Sequence, residues 1–108
     1  MTAHRTMSHE QFLAEALGKF GEPLNVAFRC PACDDIATIR EFPPEHRQKA
    51  GQECIGRSLG ALEVHGTGGK WEGRGCDWTA YGLIPAPWTI TFPDRPQCSS
   101  FPFAEAAS

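Results

Sequence analysis

No stretch of this sequence approaches the roughly 20 consecutive apolar residues needed to cross a membrane, and the opening segment, Met1 to Glu10, is polar and lacks the apolar run of a secretory signal. A cytoplasmic protein is the expectation. A basic excess is also missing. The net charge is −3, opposite in sign to the footprint of a protein held to nucleic acid by phosphate contacts. There is no internal repeat, no heptad seam and no linker that would separate two domains. At 108 residues the chain is expected to fold as one unit, 1–108, burying roughly 60 to 70 per cent of the surface its unfolded form exposes. Turn formers, by contrast, are abundant. Eleven glycines and nine prolines favour loops and short strands over long helices, and a fold of that kind gains from a cross-link.

Five cysteines supply the means. Reducing compartments keep thiols free, and an odd count leaves one unpaired in any disulfide scheme, so metal ligation is the better use of them. Cys30-Pro31-Ala32-Cys33 has the two-residue spacing that lets both sulfurs point at one ion, while backbone amides of the tight turn can donate to the thiolates. A structural zinc takes four ligands in a tetrahedron. Cys54 and Cys76 are the natural remaining pair, with 20 residues between Cys33 and Cys54 and 21 between Cys54 and Cys76. Both have glycine close by, as Cys54-Ile55-Gly56 and Gly75-Cys76, which permits close backbone approach to a metal. The expected site is a structural Zn²⁺ on Cys30, Cys33, Cys54 and Cys76, with His65 or His46 replacing one cysteine as the main variant. A zinc ribbon normally offers a second Cys-x-x-Cys, whereas here that pair is split along the chain. The competing reading makes Cys30 and Cys33 a redox pair and leaves Cys54 and Cys76 as small buried residues. A thioredoxin-like motif should open a long helix, and Asp34-Asp35-Ile36 leads into a strand pattern instead. Cys98 lies in Gln97-Cys98-Ser99-Ser100 with no His or acid beside it, and reads as a partly buried thiol, not a nucleophile.

The periodicity predicts a helix over 8–20. Ser8 caps it with Gln11 as capping-box partner, Met7 and Phe12 form a hydrophobic staple, and Gly21 ends it. Phe12, Leu13, Ala16, Leu17 and Phe20 recur at intervals of three and four, and that face is expected to pack on the rest of the domain. A sheet region tied by zinc follows over 24–103. Alternation predicts strands at Val26 to Phe28 and Ile36 to Glu41, a polar helical turn at Glu45 to Ala50, and a strand at Asp77 to Ile84. A final hairpin of Trp88 to Phe92 and Cys98 to Phe103 completes the set. Gln52 to Val64 shows no clear period, His65 to Gly75 is a glycine-rich loop, and 104–108 is a frayed tail. The fold class is α+β, an N-terminal helix packed on a small antiparallel sheet with a zinc-ribbon-like site of four cysteines.

Phe28-Arg29-Cys30-Pro31-Ala32-Cys33, then Cys54-Ile55-Gly56-Arg57-Ser58-Leu59-Gly60-Ala61, then Gly75-Cys76-Asp77-Trp78 with Gly82-Leu83, and finally Phe101-Pro102-Phe103-Ala104 carry a resemblance. From about Phe12 to Ala104 the chain resembles a family of small proteins encoded by phages and prophages. The resemblance implies zinc binding in a mobile-element setting, favours Cys54 and Cys76 as ligands, and leaves the role of Arg57 open. The glycine-rich loop and Cys98 depart from it.

Several catalytic patterns fail on spacing. The run His65-Gly66-Thr67-Gly68-Gly69-Lys70 is followed by Trp71, not Ser or Thr, so it is no phosphate loop, and the dinucleotide pattern fails at the same residue. A zinc deaminase needs His-x-Glu and Pro-Cys-x-x-Cys, neither of which is present. Four thiolates also close the coordination sphere, leaving no position for an activated water. No catalytic residue is therefore assigned and no enzyme is expected. The leading expectation is a non-enzymatic module that docks on a host protein or protein complex, an inhibitor of a bacterial defence complex being one concrete form. Arg57, Lys70, Trp71 and Arg74 are the candidate partner-binding residues. The second reading is a nucleic-acid-binding zinc-ribbon protein that uses the same four residues.

Overall fold

The structure, a computed structural model, describes residues 4–80 and 86–104. It is an α+β arrangement of two small sheets and three helices, with short 3₁₀ turns between them. Strand β1 (Arg5–Ser8) runs directly into helix α1 (His9–Phe20). Strands β2 (Ala27–Arg29) and β3 (Ile36–Thr38) form an antiparallel pair in which Phe28 faces Ala37. Helices α2 (Ile55–Leu59) and α3 (Ala61–Gly66) follow. Strands β4 (Trp88–Thr91) and β5 (Cys98–Ser100) complete the second sheet in the order β1-β4-β5.

Helix α1 starts and stops where local chemistry requires. Ser8 Oγ accepts the Gln11 amide at 3.1 Å, and Gly21, at φ +82°, donates its own amide to Leu17 O at 2.8 Å. The face it buries is narrower than the sequence pattern. Phe12, Ala16 and Phe20, spaced by four, turn inward, whereas Leu13 and Leu17 stand 47% and 48% exposed. Phe103 accounts for this. Its ring meets Phe12 at 5.0 Å and Phe20 at 5.7 Å, which aims the i, i+4, i+8 stripe at one point and turns Leu13 and Leu17, about 100° further round the helix, outward.

Two expectations about the sheets need correction. Arg5–Ser8 is a strand, and it pairs parallel to β4, with Met7 opposite Ile90, so the larger sheet is mixed and not purely antiparallel. Only every second residue of β1 could show a burial pattern, and over four residues that period is invisible. The final hairpin forms as read over β4 and β5, with Ile90 opposite Cys98. It then ends early, because Phe101 to Ala104 leaves the sheet and crosses to β2. Phe101 N–H donates to Gly51 O at 2.8 Å, Arg29 N–H to Pro102 O at 3.0 Å, and Ala104 N–H to Ala27 O at 2.9 Å. Ala104 is thus buried and hydrogen-bonded, not frayed, and the remainder of the expected tail, 105–108, lies outside the described residues.

Among the described residues, the strand expected over Asp77 to Ile84 is represented by one bridge, Thr79 opposite Glu53, flanked by Cys54 N–H to Trp78 O and Ala80 N–H to Gln52 O. Residues 81–84 of that expectation lie outside the described residues. The polar turn near Glu45 is present as a 3₁₀ turn, Pro44–Lys49. The segment 52–64, where no period was legible, holds α2 and most of α3.

The core is aromatic. Phe103 also touches Phe28 at 5.5 Å and Trp88 edge-on at 5.0 Å, and Phe101 lies against Trp78 at 5.6 Å. Because Phe101 is 1% exposed, Phe101→Ala is expected to cost about 3–5 kcal/mol, read from the urea midpoint. Leu17→Gln on the outer face of α1 is expected to shift stability by no more than about 0.5 kcal/mol.

Candidate metal centre

Three segments of the chain deliver four sulfurs to one place. Cys30 immediately follows β2, Cys33 lies in the turn after it, Cys54 immediately precedes α2, and Cys76 lies in the loop after α3. The turn is held by Asp34 N–H to Cys30 O at 2.8 Å and Cys30 N–H to Asp35 O at 3.0 Å. It requires Asp34 at φ +64°, a left-handed conformation that Asp tolerates better than most residues. All four Sγ atoms lie within 4.8 Å of one another. Cys30 and Cys76 are 3.7 Å apart and Cys33 and Cys54 3.6 Å, well beyond a disulfide bond. Four thiolates at the usual zinc–sulfur distance of about 2.3 Å form a tetrahedron with an edge of about 3.8 Å. These two separations match that edge and the remaining ones stay within 4.8 Å, so the cluster is compatible with a metal site.

Glycine makes the convergence possible. A methyl carbon on Gly56 would stand 2.5 Å from the Cys76 amide nitrogen, and one on Gly75 would stand 2.7 Å from the Gly56 nitrogen and 2.9 Å from Cys54 Sγ. Gly75 also has φ +74°. The two backbones touch, and only hydrogen fits between them. That contact lets the Cys76 amide donate to Cys54 Sγ at 3.2 Å, while Trp78 N–H donates to Cys76 Sγ at 3.4 Å. Donors of this kind offset thiolate charge.

The sulfurs do not ionise alike. Cys54 is held down at about 5 by the hydrogen bond from Cys30 and by backbone donors from Gly56 and Cys76, against the effect of burial. Cys30, as donor to Cys54 and buried, is pushed far up. Burial pushes Cys76 up to about 12. One negative charge is therefore comfortable in the bare cluster and four are not; a bound divalent cation offsets that repulsion.

Around the sulfurs lies a collar of ion pairs. Arg74 donates Nε to Asp35 Oδ1 at 3.2 Å, Nη1 to Glu41 Oε2 at 2.6 Å and Nη2 to Ile36 O at 2.7 Å, tying the glycine-rich loop to the β2–β3 turn. The same pairing holds the Glu41 carboxyl below its ordinary range and Arg74 above its own. Arg57 donates to Asp77 O at 3.0 Å and lies 3.7 Å from the Glu53 carboxylate. His65 Nδ1 meets Asp77 Oδ2 at 2.9 Å, which lowers the Asp77 carboxyl. His46 Nδ1 meets Ser58 Oγ at 3.0 Å. Both histidines are thus engaged with other partners, and the cluster of metal-binding groups found among the described residues comprises the four cysteines alone.

Of the four candidate contact residues, Arg57 and Arg74 are committed to this collar. Trp71 folds back, its Nε1–H donating to Arg74 O at 3.2 Å and its ring lying against Gly60 and Gly73. Lys70 is exposed. Cys98 lies in β5, and burial raises its thiol. The collar was not legible beforehand, because its partners are 39 and 33 residues apart for Arg74 with Asp35 and Glu41. The buried side of the cluster is nearly solid. A cavity of about 10 Å³ lined by Cys30, Asp35, Glu53 and Cys54 has room for a single water.

The fold and the cluster define the class: a small α+β protein with four converging cysteines compatible with a metal site. A family model described as VVA0879-like matches residues 8–104, and the chain belongs to that family. No curated protein and no solved structure matches the chain. Among the described residues no helix is long and apolar enough to cross a membrane.

Two outcomes test the centre. Gly56→Ala is expected to cost about 3 kcal/mol by overpacking, whereas Gly66→Ala, in open space, is expected to be neutral or stabilising by about 0.5–1 kcal/mol; both are read from urea midpoints. In chelator-treated protein, ultraviolet thiolate absorbance is expected to show one cysteine titrating near pH 5. Because that value lies below the unfolded one of about 8.5, the stability Cys54 contributes is complete above the unfolded value and lost as pH falls towards 5. Cys76 acts in the opposite sense, its contribution lost as pH rises towards 12.

Proposed function

We propose that Cys30, Cys33, Cys54 and Cys76 hold one Zn²⁺ as a structural cross-link and that the domain so braced is a non-enzymatic module that docks on another protein. The observation that carries the first half is the convergence of four sulfurs within 4.8 Å of one another, two pairs of them 3.6 and 3.7 Å apart, close to the edge of a tetrahedron of thiolates round one ion. Soft thiolate ligands in that geometry favour zinc over hard cations such as Mg²⁺ or Ca²⁺. With all four positions taken by protein, no coordination site is left for water or substrate, and the cavity behind the sulfurs, with room for one water, is too small for a substrate.

Docking is supported by apolar side chains that the fold leaves outside. Leu13 and Leu17 sit one turn apart on α1, and Leu59 and Leu62 lie on α2 and α3, all between 42% and 49% exposed. The nucleic-acid reading draws less support, since Arg57 and Arg74 already serve internal acceptors and the net charge is −3. The phage or prophage origin, with the cytoplasmic setting and a host protein as target that go with it, including a bacterial defence complex, rests on the sequence resemblance.

Native mass spectrometry of the purified chain is expected to show one zinc per molecule, removed by a strong chelator with loss of cooperative unfolding. Cys54→Ser is expected to lose the ion, and Cys98→Ser to keep it. For docking, affinity capture from a bacterial lysate is expected to recover a stoichiometric protein that a Leu13→Glu/Leu17→Glu chain fails to hold. Recovery of nucleic acid in its place, with affinity falling steeply as salt rises, would favour the second reading.

A further inference from the structure

We propose that the four-sulfur centre is also a peroxide-responsive switch, in which Cys33 is oxidised first and Cys54 closes it into a disulfide. The release of the ion rests on the metal-binding reading above, whereas the disulfide chemistry stands on the sulfur positions alone.

Access and proximity divide the four cysteines unequally. Cys30 and Cys54 are 1% and 2% exposed and Cys76 is partly buried, whereas Cys33 is open to solvent. A small oxidant therefore meets Cys33 first, and the buried face of the cluster, with space for one water, gives no second route. The sulfur paired with Cys33 is Cys54 at 3.6 Å, while Cys30 has its own close neighbour in Cys76 at 3.7 Å. A disulfide needs an S–S distance of about 2.05 Å, so Cys33 has to move by about 1.5 Å, within reach of an exposed turn. The backbone contact of Gly56 with Gly75 and Cys76 keeps Cys54 in place meanwhile.

The chemistry balances with hydrogen peroxide as oxidant. The Cys33 thiolate attacks one peroxide oxygen, the O–O bond breaks, and hydroxide leaves and is protonated to water, giving the sulfenic acid. The Cys54 thiolate then attacks the Cys33 sulfur, the S–S bond forms, the S–O bond breaks, and a second hydroxide leaves. Two electrons pass from the sulfur pair to one peroxide, which becomes two waters. A cation left with Cys30 and Cys76 has lost half of its ligand set, and a structural zinc site requires all four. Cys30 and Cys76, already adjacent, can then be joined by a second peroxide.

The test uses the full chain carrying Cys98→Ser, which removes the fifth thiol without touching the cluster. Hydrogen peroxide is added stepwise, disulfides are mapped by peptide mass spectrometry, and zinc is followed by native mass spectrometry. A Cys33–Cys54 link as the first product, formed in step with loss of zinc and reversed by reductant plus Zn²⁺, is the expected result. A first link between Cys30 and Cys33, sulfinic acid at Cys33 with no link, or intact thiols in excess peroxide would overturn the proposal. Should the chain be isolated without zinc, the metal reading fails by itself, and the order of disulfide formation still decides the switch.

Discussion

The contact of bare backbone between Gly56 and the Gly75-Cys76 peptide is the constraint on which the site depends. It brings the segment before α2 and the loop after α3 to van der Waals separation, which places Cys54 and Cys76 opposite the Cys30–Cys33 turn. A side chain at either glycine would push the two segments apart by roughly an ångström and pull the sulfurs out of tetrahedral range. The collar of Arg74, Arg57 and His65 follows from the same approach, since each reaches across a gap that this contact closes.

The rest of the fold is organised round a second nexus, the aromatic strip from Phe101 to Phe103. It leaves β5, lies beside β2 and packs under α1, so one short segment joins the two sheets and the helix. Phe101 and Cys54 line the same water-sized cavity, and the sulfur cluster and the aromatic core are therefore continuous. That continuity suits a short chain, in which a small apolar interior gains stability from a cross-link at its margin.

Charge sharpens the picture of the site. The bare cluster accommodates one thiolate on Cys54 and resists further ionisation at Cys30 and Cys76. A divalent ion changes this balance for all four at once, whereas a disulfide removes two of the ionising groups altogether. Both readings of the site use one geometric fact, the two sulfur pairs at nearly tetrahedral spacing, and they differ in what occupies the space between them. The arginines contribute by bracing loops, which leaves the exposed leucines as the larger unclaimed surface.

Local chemistry was open to reading from the residues. The capping of α1 by Ser8, its stop at Gly21, the Cys30–Cys33 turn and the β4–β5 hairpin all depend on neighbours within a few positions. So did the choice of Cys54 and Cys76, because glycine beside cysteine marks close backbone approach. Other features depended on distant partners. The parallel pairing of β1 with β4 joins residues more than eighty positions apart, and no local pattern announces it. Helices α2 and α3 were hidden because two of their five apolar residues, Leu59 and Leu62, face outward, and Leu13 and Leu17 were assigned to the core because periodicity gives a face but not its centre. By itself the sequence determined which residues carry sulfur and which points of the chain can bend without a side chain. Only the tertiary structure decided which sulfurs meet, which arginines are spent inside and which leucines stay out, since these follow from contacts between segments that a one-dimensional pattern does not encode.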